Sequence, residues 1–277
     1  MNVLCLGASF TGRYLADHFP DHSVWFLSRN PESLSAAGYE PFLADRHSDQ
    51  IEAILDTVPA VLAGESLAPP LYEREVEQVR ARRRVPIVHV SSTSVFAKGS
   101  VRQADPDALP VLDETAAPDP DLARGRLRLA MEERFQSAHP DGGILRSTGI
   151  YGPGRCLALS FRKGDFRRVG ASNPVVSRIH VHDLARLFLA MCKKFDDGDG
   201  DGMPPVVHAV DRRPTANQEV FTFLERELDI QLPDAGWRTA PAEGRRIRSL
   251  HAEELLGNTY RFESYIEGFR DCLARTN

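Results

Sequence analysis

Short apolar runs closed by polar or glycine-containing turns alternate with stretches in which apolar residues recur every three or four positions. Residues 3–6 are apolar throughout, as a parallel strand covered on both faces is. Residues 11–19 bring Leu15, His18 and Phe19 near one helical face. Residues 24–27 and 40–43 read as the second and third strands. Residues 50–57 are expected to form a helix, 60–62 a fourth strand, and 72–84 a helix with Val76 and Val79 inward. A fifth strand over 87–90, a long Pro-, Asp- and Ala-rich loop over 97–121, a helix over 122–138 and a sixth strand from 142 onward complete the regular part. Strands alternating with helices predict an α/β fold with a doubly wound parallel sheet.

Beyond residue 155 the regularity breaks. Residues 178–181 read as a short strand, with Asp183 as the N-cap of a helix over 184–193. A strand over 206–210, an amphipathic helix over 217–228 and a last helix over 262–273 follow. The expected division is a nucleotide-binding domain over 1–155 and a smaller C-terminal α/β substrate lobe over 156–277, with the chain crossing between them.

The first turn carries the chemistry that names the sheet. Gly7, Ser9 and Gly12 spell G-x-S-x-x-G between a strand and a helix, the setting of the Rossmann dinucleotide fingerprint. There the first glycine makes the turn, the last lets helix pack on strand, and the middle one lets backbone approach a pyrophosphate. Ser9 holds the middle place: its hydroxyl could bond a phosphate oxygen, or its Cβ could hold the cofactor off. Phe10 and Thr11 complete the candidate phosphate turn. About 20 residues on, where an acid would bond a ribose hydroxyl and an arginine would accept a 2′-phosphate, the chain reads Ser28-Arg29-Asn30. That favours NADP, with NAD as the alternative; a surface arginine in a turn is equally compatible. Ala63 and Gly64 end the expected fourth strand, and Ser91 and Ser92 the fifth, where open α/β sheets bind ligands. Asp45 either reaches an adenine edge or caps a helix.

Composition narrows the class. The 277 residues carry a net charge of −5 and are 42% hydrophobic, which gives no global pull toward nucleic acid or anionic membrane. The arginines from Arg80 to Arg84 suit the C-terminal end of a helix. Cys5, Cys156, Cys192 and Cys272 are far apart and no C-x-x-C occurs, so neither a metal cluster nor a disulfide framework is expected. His180 and His182 fall on opposite sides of an extended segment, the first partly buried and the second at the surface. The acidic run over 196–202 begins like a calcium loop, but its twelfth position, counted from Asp197, is His208; it reads as a linker. A strand that begins so early leaves no room for a signal peptide, and no apolar run is long enough for a membrane span. A cytoplasmic protein is expected.

With these motifs in order, the whole chain resembles the extended short-chain dehydrogenase/reductase family, the NAD-dependent epimerase/dehydratase group. The pieces are the turn over 7–12, the run over 91–96, Leu145-Arg146-Ser147-Thr148-Gly149-Ile150-Tyr151-Gly152-Pro153-Gly154-Arg155, the run over 178–185 and the tail from Arg246 to Phe269. The resemblance implies a serine and a tyrosine holding the substrate oxygen while a nicotinamide exchanges hydride. A lysine four residues after the tyrosine would bind the nicotinamide ribose. Ser92 matches the serine. Aligned on Gly125 and Glu132, the tyrosine position is Arg124 and the lysine position is Arg128, and no Y-x-x-x-K occurs anywhere. Arginine is a poor acid or base near neutrality, though it can bind an anion, a ribose or a phosphate. Tyr151 is the nearest replacement acid. The candidate catalytic residues are therefore Ser92, Arg124 and Tyr151, and Arg128 joins the candidate cofactor residues. The expected activity is an atypical NAD(P)-dependent oxidoreductase or epimerase/dehydratase acting on a small carbonyl or sugar-type substrate. The alternative is a non-catalytic NAD(P)-binding sensor or regulator. The expected partner is a small-molecule substrate, without nucleic acid or membrane; homodimers are common in the family.

Overall fold

The computed structural model describes every residue except 64, 65, 69, 98, 101–105, 120, 122, 197–201, 276 and 277, and every side chain except those and 62, 63, 66, 99, 100, 106, 124 and 196. Seven strands form the central sheet: β1 (Asn2–Leu6), β2 (Ser23–Leu27), β3 (Glu40–Pro41), β4 (Ala53–Asp56), β5 (Ile87–Ser92), β6 (Gly143–Ser147) and β7 (Val206–Ala209). Their order in space is β7-β6-β5-β4-β1-β2-β3, with every pair parallel. This is the Rossmann arrangement, and the order reverses between β1 and β4, the place where such sheets open a crevice.

The principal helices are α1 (Phe10–His18), α2 (Glu73–Arg80), α3 (Ala123–Ala138), α4 (Leu157–Arg162), α5 (Val181–Asp196), α6 (Asn217–Leu228) and α7 (Tyr265–Ala274). Leu184, Phe188 and Met191 of α5 share a buried core with Val3 and Cys5 of β1. Thus α5 and β7, both beyond residue 155, return to the sheet. The lobe has its own core of Phe161, Phe221, Leu224, Trp237, Tyr265 and Phe269. A strand over Asn173–Val176 organises its small sheet, parallel to Ala242–Gly244 and antiparallel to Thr215–Ala216. A capping box of Ser264 and Glu267 starts α7.

Three expectations are corrected. Residues 53–56 are a central strand, not part of a helix over 50–57. All four are buried, and a strand buried on both faces shows no alternation. In consequence residues 62–63 are not the fourth sheet strand. They pair with residues 66–67 in a separate hairpin. Ala63 therefore does not end a central strand, and its side chain, like Gly64 as a whole, lies outside the described residues. Asp183 is not an N-cap, because α5 starts at Val181. Its buried carboxylate instead accepts the backbone N–H groups of Arg261 and Phe262, each at 2.9 Å, and ties the C-terminal segment to α5. The acidic stretch 197–201 lies outside the described residues. Among the described residues, no helix is long and apolar enough to cross a membrane.

Candidate active site

The β1–α1 turn is built by close contact. Gly7 sits at φ +85°, a conformation that suits glycine. A Cβ on Gly12 would stand 2.4 Å from the Cys5 sulfur and 3.0 Å from the Phe26 ring, so only glycine lets α1 lie this close to β1. Ser9 is the N-cap of α1: its Oγ accepts the Gly12 N–H at 3.0 Å. The cap uses a lone pair of the hydroxyl oxygen, and the Ser9 side chain also lies within hydrogen-bonding reach of the Cys5 sulfur. The N-terminus of α1 borders a cleft of about 860 Å³ at the C-terminal ends of the strands, and Ser9, Phe10 and Thr11 line it. Exposed N–H groups and the helix dipole make such a terminus favourable for a phosphate.

Across the cleft lie Val90, Ser91 and Ser92 at the end of β5, Arg128 of α3, Ser147 at the end of β6, the short strand Gly149–Tyr151 that pairs with Arg178–His180, and Gly154 to Cys156. Arg128 has no hydrogen bond or ion pair among the described residues. The helix that carries it is anchored one turn further on. There the buried Glu132 receives Arg146 through two nitrogens, at 3.2 and 2.8 Å, and also the Ser91 hydroxyl. Ser91 therefore spends its hydroxyl proton on Glu132 while the residue lines the cleft. The Ser92 oxygen accepts the Ser94 N–H at 3.2 Å and faces both the cleft and an annex of about 320 Å³. Thr148, Gly149 and Val176 also line both spaces, so the two are neighbours that share a wall at Ser92. Arg245 lines the annex and donates to the Phe96 carbonyl at 2.8 Å.

Tyr151 is placed differently from expectation. It is 5% exposed, its hydroxyl donates to the Ser264 carbonyl at 3.2 Å, and its ring packs edge-on against His180 and Phe269. Burial raises the phenol well above its ordinary value. A phenol so buried and engaged is a packing residue; Tyr151 does not lie in the expected loop but ends a short strand and pairs with His180. Arg124 begins α3, but its side chain lies outside the described residues. Ser28, Arg29 and Asn30 stand at the end of β2 and do not line the enclosed cleft. Asn30 caps the following helix by accepting the Ser33 N–H at 3.1 Å. Arg29 is exposed, with no ion pair among the described residues.

The sequence reading missed several cleft residues. Thr57 and Pro59 follow β4 and line the cleft, and Thr57 lies beside Gly7 while its hydroxyl donates to the Leu6 carbonyl at 2.7 Å. Recognising β4 would have found them, because its end lies at the crevice. On the lobe side Arg178 is 8% exposed and lines the cleft while donating to the Val176 carbonyl at 2.8 Å and to the Asn217 side chain at 3.4 Å. A charged residue opening an apolar strand was the available signal. Burial pushes the nearby Asp211 carboxyl up to about 8. His182 is not at the surface: it is half-buried, stacked on Phe19. Among the described residues no three His, Cys, Asp or Glu side chains gather as a metal site.

No family profile matches the sequence, and no curated protein does. Solved structures do match. A functionally unknown protein from Silicibacter pomeroyi is 25% identical with a TM-score of 0.71, over 99% of this chain and 98% of that one. A protein assigned as an NAD-dependent epimerase/dehydratase from Methylobacillus flagellatus is 19% identical with a TM-score of 0.69, over 99% and 97%. UDP-glucuronic acid 4-epimerase from Bacillus cereus, solved with NAD, is 15% identical with a TM-score of 0.66, over 98% and 95%. Across its whole length the chain has the fold of the NAD-dependent epimerase/dehydratase group of short-chain dehydrogenase/reductases.

Proposed function

We propose that this protein binds a nicotinamide dinucleotide across the β1–α1 turn and uses it on a sugar-type or small carbonyl substrate, as an oxidoreductase or epimerase/dehydratase. The observation that carries this reading is the reach of the cleft. One cavity is lined by the capped N-terminus of α1, by Ser92 and Arg128, and by Arg178, Asn217 and Phe221 of the lobe. The group would supply hydride transfer when bound. Ser9 and the first turn of α1 would hold its phosphates, and Arg128 its ribose. The exposed Arg29 supports NADP over NAD. Ser92 would orient the substrate oxygen, and Arg124 and Arg128 would supply positive charge beside it. With Tyr151 engaged elsewhere, the proton would come from water admitted to the cleft. Arg155, Lys163 and Arg168 at the mouth would suit an anionic substrate.

The test is calorimetric titration with NADP⁺ and NAD⁺, followed by NADPH oxidation against aldehydes, ketones, keto acids and sugar derivatives. Binding with NADP preferred, and loss of that preference in Arg29→Ala, supports the reading. No heat with either dinucleotide overturns it. A second reading, a non-catalytic dinucleotide sensor, is favoured by one observation: the tyrosine nearest the cleft has its hydroxyl bonded to Ser264. Dinucleotide binding without turnover of any substrate in the panel would select it.

A further inference from the structure

Two cysteines far apart in sequence meet at the wall of the cleft. Cys156 immediately precedes α4 and lines the cleft, whereas Cys272 is fully buried in α7. Their thiols are hydrogen-bonded to one another. The helices that carry them are tied a second time, by Arg162 of α4 donating to the Leu273 carbonyl at 3.1 Å. We propose that Cys156 and Cys272 are a peroxide-oxidised dithiol that closes to a disulfide between the cleft wall and the last helix.

The two sulfurs are not equivalent. The Cys272 thiol and the N–H groups of Ala158 and Leu159 hold the Cys156 thiol below its ordinary value, against the opposing effect of its burial. Cys272 is raised, by that same hydrogen bond and by burial. Cys156 is thus the thiolate former, and of the two cysteines it is the one that lines the cleft, the two properties that select an oxidation site. Its thiolate attacks one oxygen of hydrogen peroxide; the O–O bond breaks and hydroxide leaves, taking up a proton as water. Cys156 becomes a sulfenic acid. The Cys272 sulfur then attacks the Cys156 sulfur, the S–O bond breaks, and the leaving oxygen departs as water with the Cys272 proton. In sum two thiols are oxidised by two electrons and one peroxide is reduced to two waters. The bond would fasten α4, whose Leu157, Leu159 and Ser160 line the cleft, to α7.

The other two cysteines are internal controls. Cys5 is fully buried, donates to the Gly7 carbonyl at 3.2 Å, and is pushed up to about 12 by burial. Cys192 is fully buried in α5. The experiment exposes the reduced full-length protein to hydrogen peroxide, alkylates remaining thiols in denaturant, and maps the peptides by mass. The expected product has lost the mass of two hydrogens per chain. Its Cys156 and Cys272 peptides are joined, Cys5 and Cys192 are alkylated, and dithiothreitol reverses the change. Sulfinic or sulfonic acid on Cys156 with Cys272 alkylated, equal modification of all four cysteines, or four unmodified thiols would each overturn the proposal. In Cys272→Ala, Cys156 is expected to persist as a sulfenic acid trapped by dimedone, and a folded variant without that adduct also overturns it. If that variant does not fold, the wild-type peptide map decides alone.

Discussion

The two sides of the cleft are held by different physics. At the β1–α1 turn, identity is dictated by space: at Gly12 no side chain fits between helix and strand. At the start of α3, position is dictated from below. Glu132, one turn beyond Arg128, is fixed by Arg146 and Ser91, so the helix keeps its register whatever residue stands above it. A cleft residue on such a helix can change its chemistry at little cost to the backbone. On the proposed reading, this is how the glycine turn could stay recognisable while Arg124 and Arg128 stand where the resemblance places a tyrosine and a lysine.

The largest effect should come from the permissive side. Arg124→Tyr with Arg128→Lys puts a phenol where the resemblance places the family's acid, a role typically worth about two to four powers of ten in rate. NADPH oxidation by this variant is expected to exceed wild type by that order on at least one carbonyl of the panel. Lower activity than wild type would mean that the arginines grip an anionic substrate. No turnover by either protein, with dinucleotide still bound, would favour the sensor reading.

The dictated side should respond in the opposite manner. Gly12→Val inserts a branched side chain where even one carbon meets sulfur at 2.4 Å. Overpacking of this kind costs about 1–3 kcal/mol or more. Thermal unfolding should move down by several degrees, and dinucleotide heat should vanish because α1 is displaced. A variant with wild-type melting and binding would show that the turn is looser than its contacts indicate.

The same contrast explains what the sequence disclosed. Gly7 and Gly12 were legible because steric necessity leaves few residue choices. The alternation of β1, β2, β5 and β6 with helices was legible because apolar runs report burial. β4 was missed because Ala53-Ile54-Leu55 is too short to show a period, and with it went Thr57 and Pro59. The placement of Tyr151 is not legible because Gly149–Tyr151 is too short a strand to show a period; only the fold shows its hydroxyl on Ser264. Arg178 and Asp211 lie together only through the lobe's topology, which no local pattern encodes.

A third, smaller effect separates the lobe seam from both sides. His180 is fully buried, its Nδ1 accepts the His182 N–H at 3.1 Å, and it packs against Tyr151 and Phe262. Burial lowers its pKa from 6.5 to about 3, and the neighbouring Asp271 is already paired with Arg275 at 2.8 Å. A depressed folded value means that the unfolded chain takes the proton first. The contribution is present above pH 6.5 and is lost as pH falls toward 3. Between pH 7 and pH 5 the loss should be about 2 kcal/mol. Denaturant unfolding of wild type and His180→Gln at both pH values should show wild type losing that much more than the variant. Equal pH dependence would mean that the ring is protonated without penalty in the folded protein.

The smallest effect asks what Ser9 adds to a turn whose glycines already fix its shape. Its lone pair caps α1, and glycine at an N-cap is worth nearly as much as serine, so Ser9→Gly should cost only about a few tenths of a kcal/mol in stability. Its hydroxyl proton is a separate matter. If it reaches a phosphate oxygen, the variant should bind dinucleotide more weakly by about 1 kcal/mol, roughly five-fold in Kd, with melting almost unchanged. If the Cβ instead holds the pyrophosphate away from the backbone, the same variant should bind more tightly. Calorimetry on both proteins distinguishes the two by sign. Unchanged affinity would leave Ser9 a helix cap alone, and the specificity of the turn would then rest on Gly7 and Gly12.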